Sequence, residues 1–327
     1  MIKVGVLRGG PSAEHKVSLK TGESVLSFLP EKYEGNDIFL SPEGNWFLNG
    51  KISYPEQALR SVDVVFNALH GRFGEDGKVQ QILETFGVPY TGSGILASAT
   101  GMNKMLAREA FSSAGLLVPR ATVVSGEENV EDAAYKIFRT MGPSLVVKPL
   151  SSGSSMGVSI AHDYPELIGA IKRALLDEEE VSELFSRKVI VEEYIKGREA
   201  SCGIVEDFRN EKYYALPVIE IIPPDESVFF DYEAKYGGKA NEICPANFSD
   251  SEKSKMENIA REAHKAVGCR HYSRSDFIVS PRGIYILEIN TLPGLTKESL
   301  LPKSIRAVGV SYSDFLAHLI DKAIGER

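Results

Sequence analysis

The chain has 327 residues, of which 43% are hydrophobic and 25% charged, with a formal net charge of -8. That length exceeds a single hydrophobic core and predicts two or three domains with a ligand cleft between them. The negative balance excludes the broad basic footprint of a nucleic-acid binder, so an anionic ligand must be met by local lysines and arginines. No apolar run approaches the length of a membrane span. Met1-Ile-Lys-Val-Gly-Val-Leu7 enters a strand pattern without a charged leader and cleavage site, so a cytoplasmic protein without a membrane partner is expected. Cys202, Cys244 and Cys269 share no CxxC spacing, which predicts reduced structural thiols.

Residues 4–7, 64–66, 145–147 and 189–191 are short apolar runs of the buried-strand type. Met256, Ile259, Ala263 and Val267 recur at helical spacing and stop at Gly268, so the chain reads as α/β or α+β. The first hundred or so residues alternate strand and helix as a doubly wound, parallel-sheet unit does. Turn signals at Gly87-Val-Pro-Tyr90 and Thr91-Gly-Ser-Gly94 close that unit and place a boundary near Ser98. A second unit is expected over residues 99–187 and a third over residues 188–327.

Gly9-Gly-Pro-Ser-Ala-Glu14 follows the first strand but lacks the third glycine of a dinucleotide fingerprint. The turn does put Glu14 and Ser18 at the carboxyl end of strand one, where open sheets bind ligands and a carboxylate can hold an ammonium group. An acid capping a helix start is the alternative. Lys148-Pro-Leu-Ser-Ser-Gly-Ser-Ser-Met-Gly157 follows a strand, and its small residues let backbone N–H groups approach an anion. It is not a Walker A loop, and a flexible turn is the plain alternative, although Lys148 favours phosphate. Lys104 is by default a helix-surface lysine. Glu192-Glu-Tyr-Ile-Lys-Gly-Arg-Glu199 ends a strand, with backbone able to meet a flat base and Glu199 a ribose hydroxyl. Residues 225–242 are polar and aromatic without periodicity, a candidate lid with glycines at Gly237 and Gly238.

Near the C-terminus, residues 275–279 and 284–289 are β-prone and flank Pro281-Arg282-Gly283, which fits a three-residue hairpin loop. Ser280 then faces Ile284, which pairs Asp276 with Glu288 and Arg274 with Asn290 on one face. Facing carboxylates repel unless a cation lies between them, and this all-oxygen set suits Mg²⁺ that also holds phosphate. Arg274 adds a fork for anionic oxygen. A hairpin edge with ordinary surface charges is the alternative reading. After Asn290, the loop through Pro293 and Gly294 to Ser299 and Lys303 could present backbone N–H groups to a carboxylate or oxyanion.

His70-Gly-Arg-Phe-Gly-Glu-Asp-Gly77, Gly153-Ser-Ser-Met-Gly157, Tyr232-Glu-Ala-Lys-Tyr236 and Glu288-Ile-Asn-Thr-Leu-Pro-Gly-Leu-Thr296 resemble, in order and over nearly the whole chain, the D-alanine:D-alanine ligases. The resemblance implies the ATP-grasp fold, with ATP between two antiparallel sheets. It also implies an acyl phosphate formed on one D-alanine and attacked by the amine of a second. By matching position, Glu14 would hold the first alanine's ammonium, with His70 in the same substrate site. Ser154 and Tyr236 would link Glu14 to the lid. Lys104, Lys148 and Lys235 would neutralise ATP phosphates beside Ser155, while Glu192, Glu193, Ile195 and Glu199 would hold adenine and ribose. Asp276, Glu288 and Asn290 would ligate two Mg²⁺, or Mn²⁺ in their place. Arg274 and the Gly294 N–H would stabilise the oxyanion, and Ser299, Leu300 and Lys303 would receive the second alanine's carboxylate. A homodimer is implied as well.

Departures from the family pattern are few. Lys16 stands where an acid is frequent, Asn103 where Asp is common, and Glu193 where Lys is often found. Rivals are a sister ligase using D-lactate or D-serine, against whose lactate form Tyr236 argues, an ATP-grasp ligase for unrelated amino acids, and a nucleotide-binding protein without catalysis, against which the intact Lys148, Arg274, Asp276, Glu288 and Asn290 argue.

Overall fold

The computed structural model describes residues 1–151, 157–179, 187–223 and 241–326. Its first sheet has the order β4-β3-β2-β1-β5, from Ile2–Gly9 (β1), Tyr33–Leu40 (β2), Trp46–Leu48 (β3), Lys51–Ser53 (β4) and Val64–Asn67 (β5). β1 is parallel to both β2 and β5, as a doubly wound unit requires, and helices cover both faces. His15–Phe28 (α1) packs on one face, while Pro55–Arg60 (α2) and Lys78–Thr85 (α3) bring Ala58, Leu59, Val79 and Leu83 to the core on the other. The sheet is mixed rather than purely parallel, because β3 and β4 run antiparallel at its edge. Asn49 and Gly50, at φ 48° and 77°, form the tight turn between them, a turn favoured by the Asn-Gly pair.

Two antiparallel sheets follow. Ala121–Ser125 (β6), Leu145–Pro149 (β7), Ser159–Ala161 (β8) and Lys188–Glu193 (β9) form a sheet ordered β6-β9-β7-β8, backed by Val130–Met141 (α6) and Tyr164–Glu179 (α7). The second consists of Arg198–Phe208 (β10), Glu211–Ala215 (β11), Ile219–Ile222 (β12), Asn241–Ile243 (β13), Tyr272–Ser280 (β14) and Gly283–Asn290 (β15). Its order is β13-β12-β10-β14-β15, with β11 paired to β10. Asp250–Val267 (α8) lies across this sheet, started by a Ser249–Glu252 capping box and stopped at Gly268 with φ 75°. Its inward face carries Met256, Ala260, Ala263 and Val267. The chain ends with Leu300–Ala307 (α9) and Tyr312–Gly325 (α10).

Packing divides the chain differently from the expected boundaries at residues 98 and 187. Ile95–Met102 (α4) runs across the first, and α4 together with Lys104–Ser113 (α5) packs on the C-terminal sheet through Ala97, Ala107 and Phe111. β9 lies beyond the second yet hydrogen-bonds to β6 and β7 of the central sheet. Local turn signals do not reveal which distant strand or sheet a segment will join. Cys202 and Cys269 are buried, Cys244 half-buried, and all three are free thiols. Buried Ser273 and His264 and half-buried Glu206 form a hydrogen-bonded chain of 2.7 and 3.4 Å that ties α8 to β14 and β10. No helix among the described residues is long and apolar enough to cross a membrane.

Candidate active site

The β14–β15 hairpin pairs Asp276 with Glu288 and Arg274 with Asn290. It reaches that register by another route than the expected three-residue loop. Ser280 pairs with Gly283, so the turn has two residues, and a one-residue shift between Asp276 and Phe277 leaves Leu287 unpaired. That bulge restores the offset the shorter turn removed. Asp276 is held by four donors. Its Oδ1 accepts from Arg274 Nε at 2.9 Å and Ser201 Oγ at 2.6 Å, and its Oδ2 from an Arg274 terminal nitrogen at 2.8 Å and Asn290 Nδ2 at 3.3 Å. Among the described residues no three His, Cys, Asp or Glu side chains gather as a metal cage. The face offers two carboxylates and an amide, an oxygen set that fits Mg²⁺ when phosphate oxygens complete the coordination.

Across a cleft of about 380 Å³ stands the central sheet. Lys148 on β7 projects into it and pairs with Glu192 of β9 at 2.8 Å. Burial alone would lower the Lys148 pKa, but the charges of Glu192, Glu288 and Glu199 and the Glu192 hydrogen bond outweigh it, and the ammonium is held above its ordinary range. Glu192 and Glu288 come from opposite sheets, so this one lysine feels both walls. Lys104 lines the same cleft. Asn103 caps α5 by accepting from the Met105 and Leu106 N–H groups, which orients the first turn that carries Lys104. At the other end Ile195 packs with Ile278, Tyr285 and Leu287, an apolar wall suited to a flat base, and half-buried Glu199 opens β10 beside it. Glu193 lines the cleft, yet its carboxylate is engaged by Arg120 and Arg282 on the outer side.

The N-terminal unit supplies a second group of residues. Glu14 is buried at the N-cap position of α1, where its side chain makes no cap bond. Its Oε2 lies where a Cβ on Gly71 would come within 2.6 Å, and Gly71 has φ 70°. Ser18 is structural, taking the Gly9 N–H and donating to the Ala68 carbonyl, each at 2.8 Å. His70 is buried, bonded to Thr21 Oγ1 at 2.9 Å and to the Leu292 backbone, and burial drives its pKa down to about 4. Glu75 was not singled out by sequence reasoning, although it lies within the quoted His70 motif. It accepts the Gly71 N–H at 2.6 Å and bonds the Leu292 backbone. Burial and the nearby Glu14 charge raise it to about 8 against the pull of Arg274. Leu292 thus joins His70 and Glu75 to the loop after β15.

In that loop a Cβ on Gly294 would meet Ser299 Oγ at 2.9 Å, so glycine is what the close turn admits. Ser299 precedes α9 and bonds Thr296, while Leu300 is buried against Ile219 and Ile221. That side chain is core. Lys303 pairs with Glu242 at 2.5 Å. Ser154, Ser155, Lys235 and Tyr236 lie outside the described residues, as does the candidate lid up to residue 240.

Comparison with known proteins adds independent findings. The family model for the D-ala D-ala ligase C-terminus matches residues 110–321, and that for the N-terminus residues 3–58 and 50–93. A D-alanine--D-alanine ligase of Geobacter sulfurreducens is 41% identical over 325 residues, covering 98% of this chain and 94% of the relative. The structure of the D-alanine--D-alanine ligase from Bacillus anthracis complexed with ATP matches with a TM-score of 0.80 at 32% identity, covering 100% of this chain and 98% of that one. The VanG D-Ala:D-Ser ligase from Enterococcus faecalis matches with a TM-score of 0.84 at 30% identity, covering 98% and 99%.

Proposed function

The chain belongs to the D-alanine:D-alanine ligase family, and from that premise we propose how its residues carry the ATP-dependent joining of two D-alanines for peptidoglycan synthesis. ATP enters the ATP-grasp cleft with its base against Ile195 and Ile278 and its phosphates toward Lys148, Lys104 and Lys235. A carboxylate oxygen of the first D-alanine attacks the γ-phosphorus, the bond to ADP breaks, and an acyl phosphate forms. The deprotonated amine of the second D-alanine attacks the acyl carbon. The tetrahedral intermediate then expels phosphate and leaves the peptide bond. Two Mg²⁺ ions held by Asp276, Glu288 and Asn290 would neutralise phosphate oxygens during the transfer.

The remaining steps are work for side chains and backbone. Glu14 holds the first substrate's ammonium beside Gly71, where a Cβ would fill the space. Neutral His70 adds no charge to that site. Arg274, held flat by its two bonds to Asp276, offers guanidinium charge to the oxyanion together with the Gly294 N–H. The Ser299 and Leu300 segment at the start of α9, with Lys303, receives the second carboxylate. Ser154 and Tyr236 complete the chain from Glu14 toward the lid. A cytoplasmic homodimer is the proposed working form, which light scattering on the purified protein tests.

One observation supports this reading above the others: half-buried Lys148 of one sheet and Glu288 of the opposing hairpin line the same cleft, within electrostatic reach of each other. The deciding assay measures phosphate release from ATP and Mg²⁺ with D-alanine, L-alanine, D-serine and D-lactate, with the product weighed by mass spectrometry. D-alanyl-D-alanine as the main product is expected. Phosphate release equal with and without D-alanine would overturn the reading.

A further inference from the structure

We infer that Glu193 is a positioning residue that ties the central sheet to the tip of the β14–β15 hairpin and thereby sets the spacing of the two cleft walls at their base-binding end. The inference rests on the assignment of this cleft to ATP. Glu193 ends β9 and is 8% exposed. Its Oε1 accepts the Arg120 N–H at 3.0 Å, while its Oε2 takes Arg120 Nε and an Arg282 terminal nitrogen, each at 3.3 Å. The two arginines belong to different bodies. Arg120 immediately precedes β6 and also donates to the Thr140 and Met141 carbonyls at the end of α6, so it is fastened within the central unit. Arg282 sits in the two-residue turn of the hairpin that carries Asp276 and Glu288, with its guanidinium 5.4 Å from the Tyr285 ring centre.

The surroundings make this carboxylate the polar joint of an otherwise apolar seam. Two residues farther on, Ile195 packs against Ile278 and Tyr285 of the same hairpin. Ile286 N–H donates to the Leu117 carbonyl at 3.0 Å, so the segment entering the central unit also lies on the hairpin. The buried core of the central unit, from Val124 to Val191, shares no member with the cores of the rest. Few contacts therefore fix the angle between the walls, and a carboxylate between two guanidinium groups is one of them. Burial by itself would raise the Glu193 pKa. The Arg120 N–H, the Arg282 bond and the Arg120 charge outweigh burial and lower it, so the group is ionised at neutral pH. A lysine here would put three cations together and break the joint.

The test is direct titration of a non-hydrolysable ATP analogue with Mg²⁺ into the wild-type chain, Glu193→Gln, Arg282→Gln and the double variant. Because Arg282 is more than half exposed at a turn, Arg282→Gln keeps the fold even where Glu193→Gln does not, as thermal melting will show. Each single change should weaken analogue binding about threefold to fivefold, the scale of partly exposed ion pairs. The double variant should be no weaker than the weaker single, since both act through one contact. In turnover, KM for ATP should rise by more than kcat falls. Wild-type affinity in Arg282→Gln, or losses that multiply in the double variant, would overturn the inference. Because binding is read without turnover, a wild-type chain that binds the analogue but makes no dipeptide overturns the ligase reading and leaves this test intact.

Discussion

Asp276 and Glu288 face each other but are not interchangeable, because Asp276 is already held by four donors while Glu288 lies toward Lys148. Glu288→Gln keeps the size and removes the charge that the proposed metal site and Lys148 would both use, so near-complete loss of turnover with an unchanged circular dichroism spectrum is expected. Wild-type turnover at low Mg²⁺ would remove Glu288 from the metal set. Arg274→Ala takes away the proposed oxyanion partner along with two of the Asp276 bonds, and kcat should fall on the order of 10²-fold with ATP affinity largely kept. A main effect on ATP affinity would place Arg274 outside the acyl-transfer site. His70 makes a different prediction, on stability. Its folded pKa of about 4 lies below its ordinary value, so from about pH 6.5 down to 4 the unfolded chain takes up a proton that the native chain refuses. The native state should lose on the order of 2 kcal/mol across that window through this group. Glu75, raised to about 8, acts with the opposite sign, its stabilisation being lost as the pH rises toward 8. Comparing His70→Gln with wild type isolates the histidine: the variant's melting temperature should fall less on acidification from pH 6.5 to 4, and parallel pH curves would contradict the assignment.

The β14–β15 hairpin shows how a register can be right when the turn that led to it is not. The two-residue turn at Pro281 and Arg282 shifts the pairing by one, and the bulge at Leu287 shifts it back, so the site residues face each other as counted from the sequence. Gly283 is the strained member, with φ 139° and only 2.8 Å between an added Cβ and Leu117 Cδ2. Gly283→Ala should therefore destabilise the protein by about 1–3 kcal/mol and lower turnover by disturbing the neighbouring register. An unchanged melting temperature would mean that the turn relaxes freely. Elements whose signals are local were legible in this way: α8 announces itself by its periodicity and Gly268, and the hairpin by its β-prone runs. Asn49-Gly50 is an equally local signal for the turn between β3 and β4. Glu75 carries no such mark, since in sequence it differs little from Asp76 beside it. Only the packing of its loop turns Glu75 to the Gly71 N–H and the Leu292 backbone and leaves Asp76 to accept the Lys78 N–H. Sheet membership was illegible for the same reason, because β9 joins β6 and β7 through pairings as remote as Ala121 with Glu192.

At the scale of the molecule, the hydrophobic cores decide which parts move together. One core joins Val4, Val6, Val64 and Phe66 of the first sheet to Phe315, Leu316 and Ile320 of α10 and to Leu301 of α9, so the N-terminal and C-terminal units share apolar interior. His271 strengthens that junction with its backbone at φ 62°: its Nδ1 accepts the Gly92 N–H, its Nε2 donates to Glu326, and its own N–H donates to Glu206. The central unit, by contrast, keeps a core of its own and meets the rest along the cleft and the seam at Glu193. A body attached by few apolar contacts opens at lower free energy than one that shares a core. On the proposed assignment the wall bearing Lys148 is the one expected to adjust to nucleotide, while Glu14 and His70 stay registered against Glu75 and Leu292. Hydrogen exchange tests this division. With an ATP analogue and Mg²⁺, amides of β7 and β9 should slow together by a common factor, and those of β1 and β5 should change little, because their opening already requires breaking the shared core. Equal added protection in β1 and β7 would mean that the molecule opens as one unit, and closure on ATP could then not be assigned to the central wall.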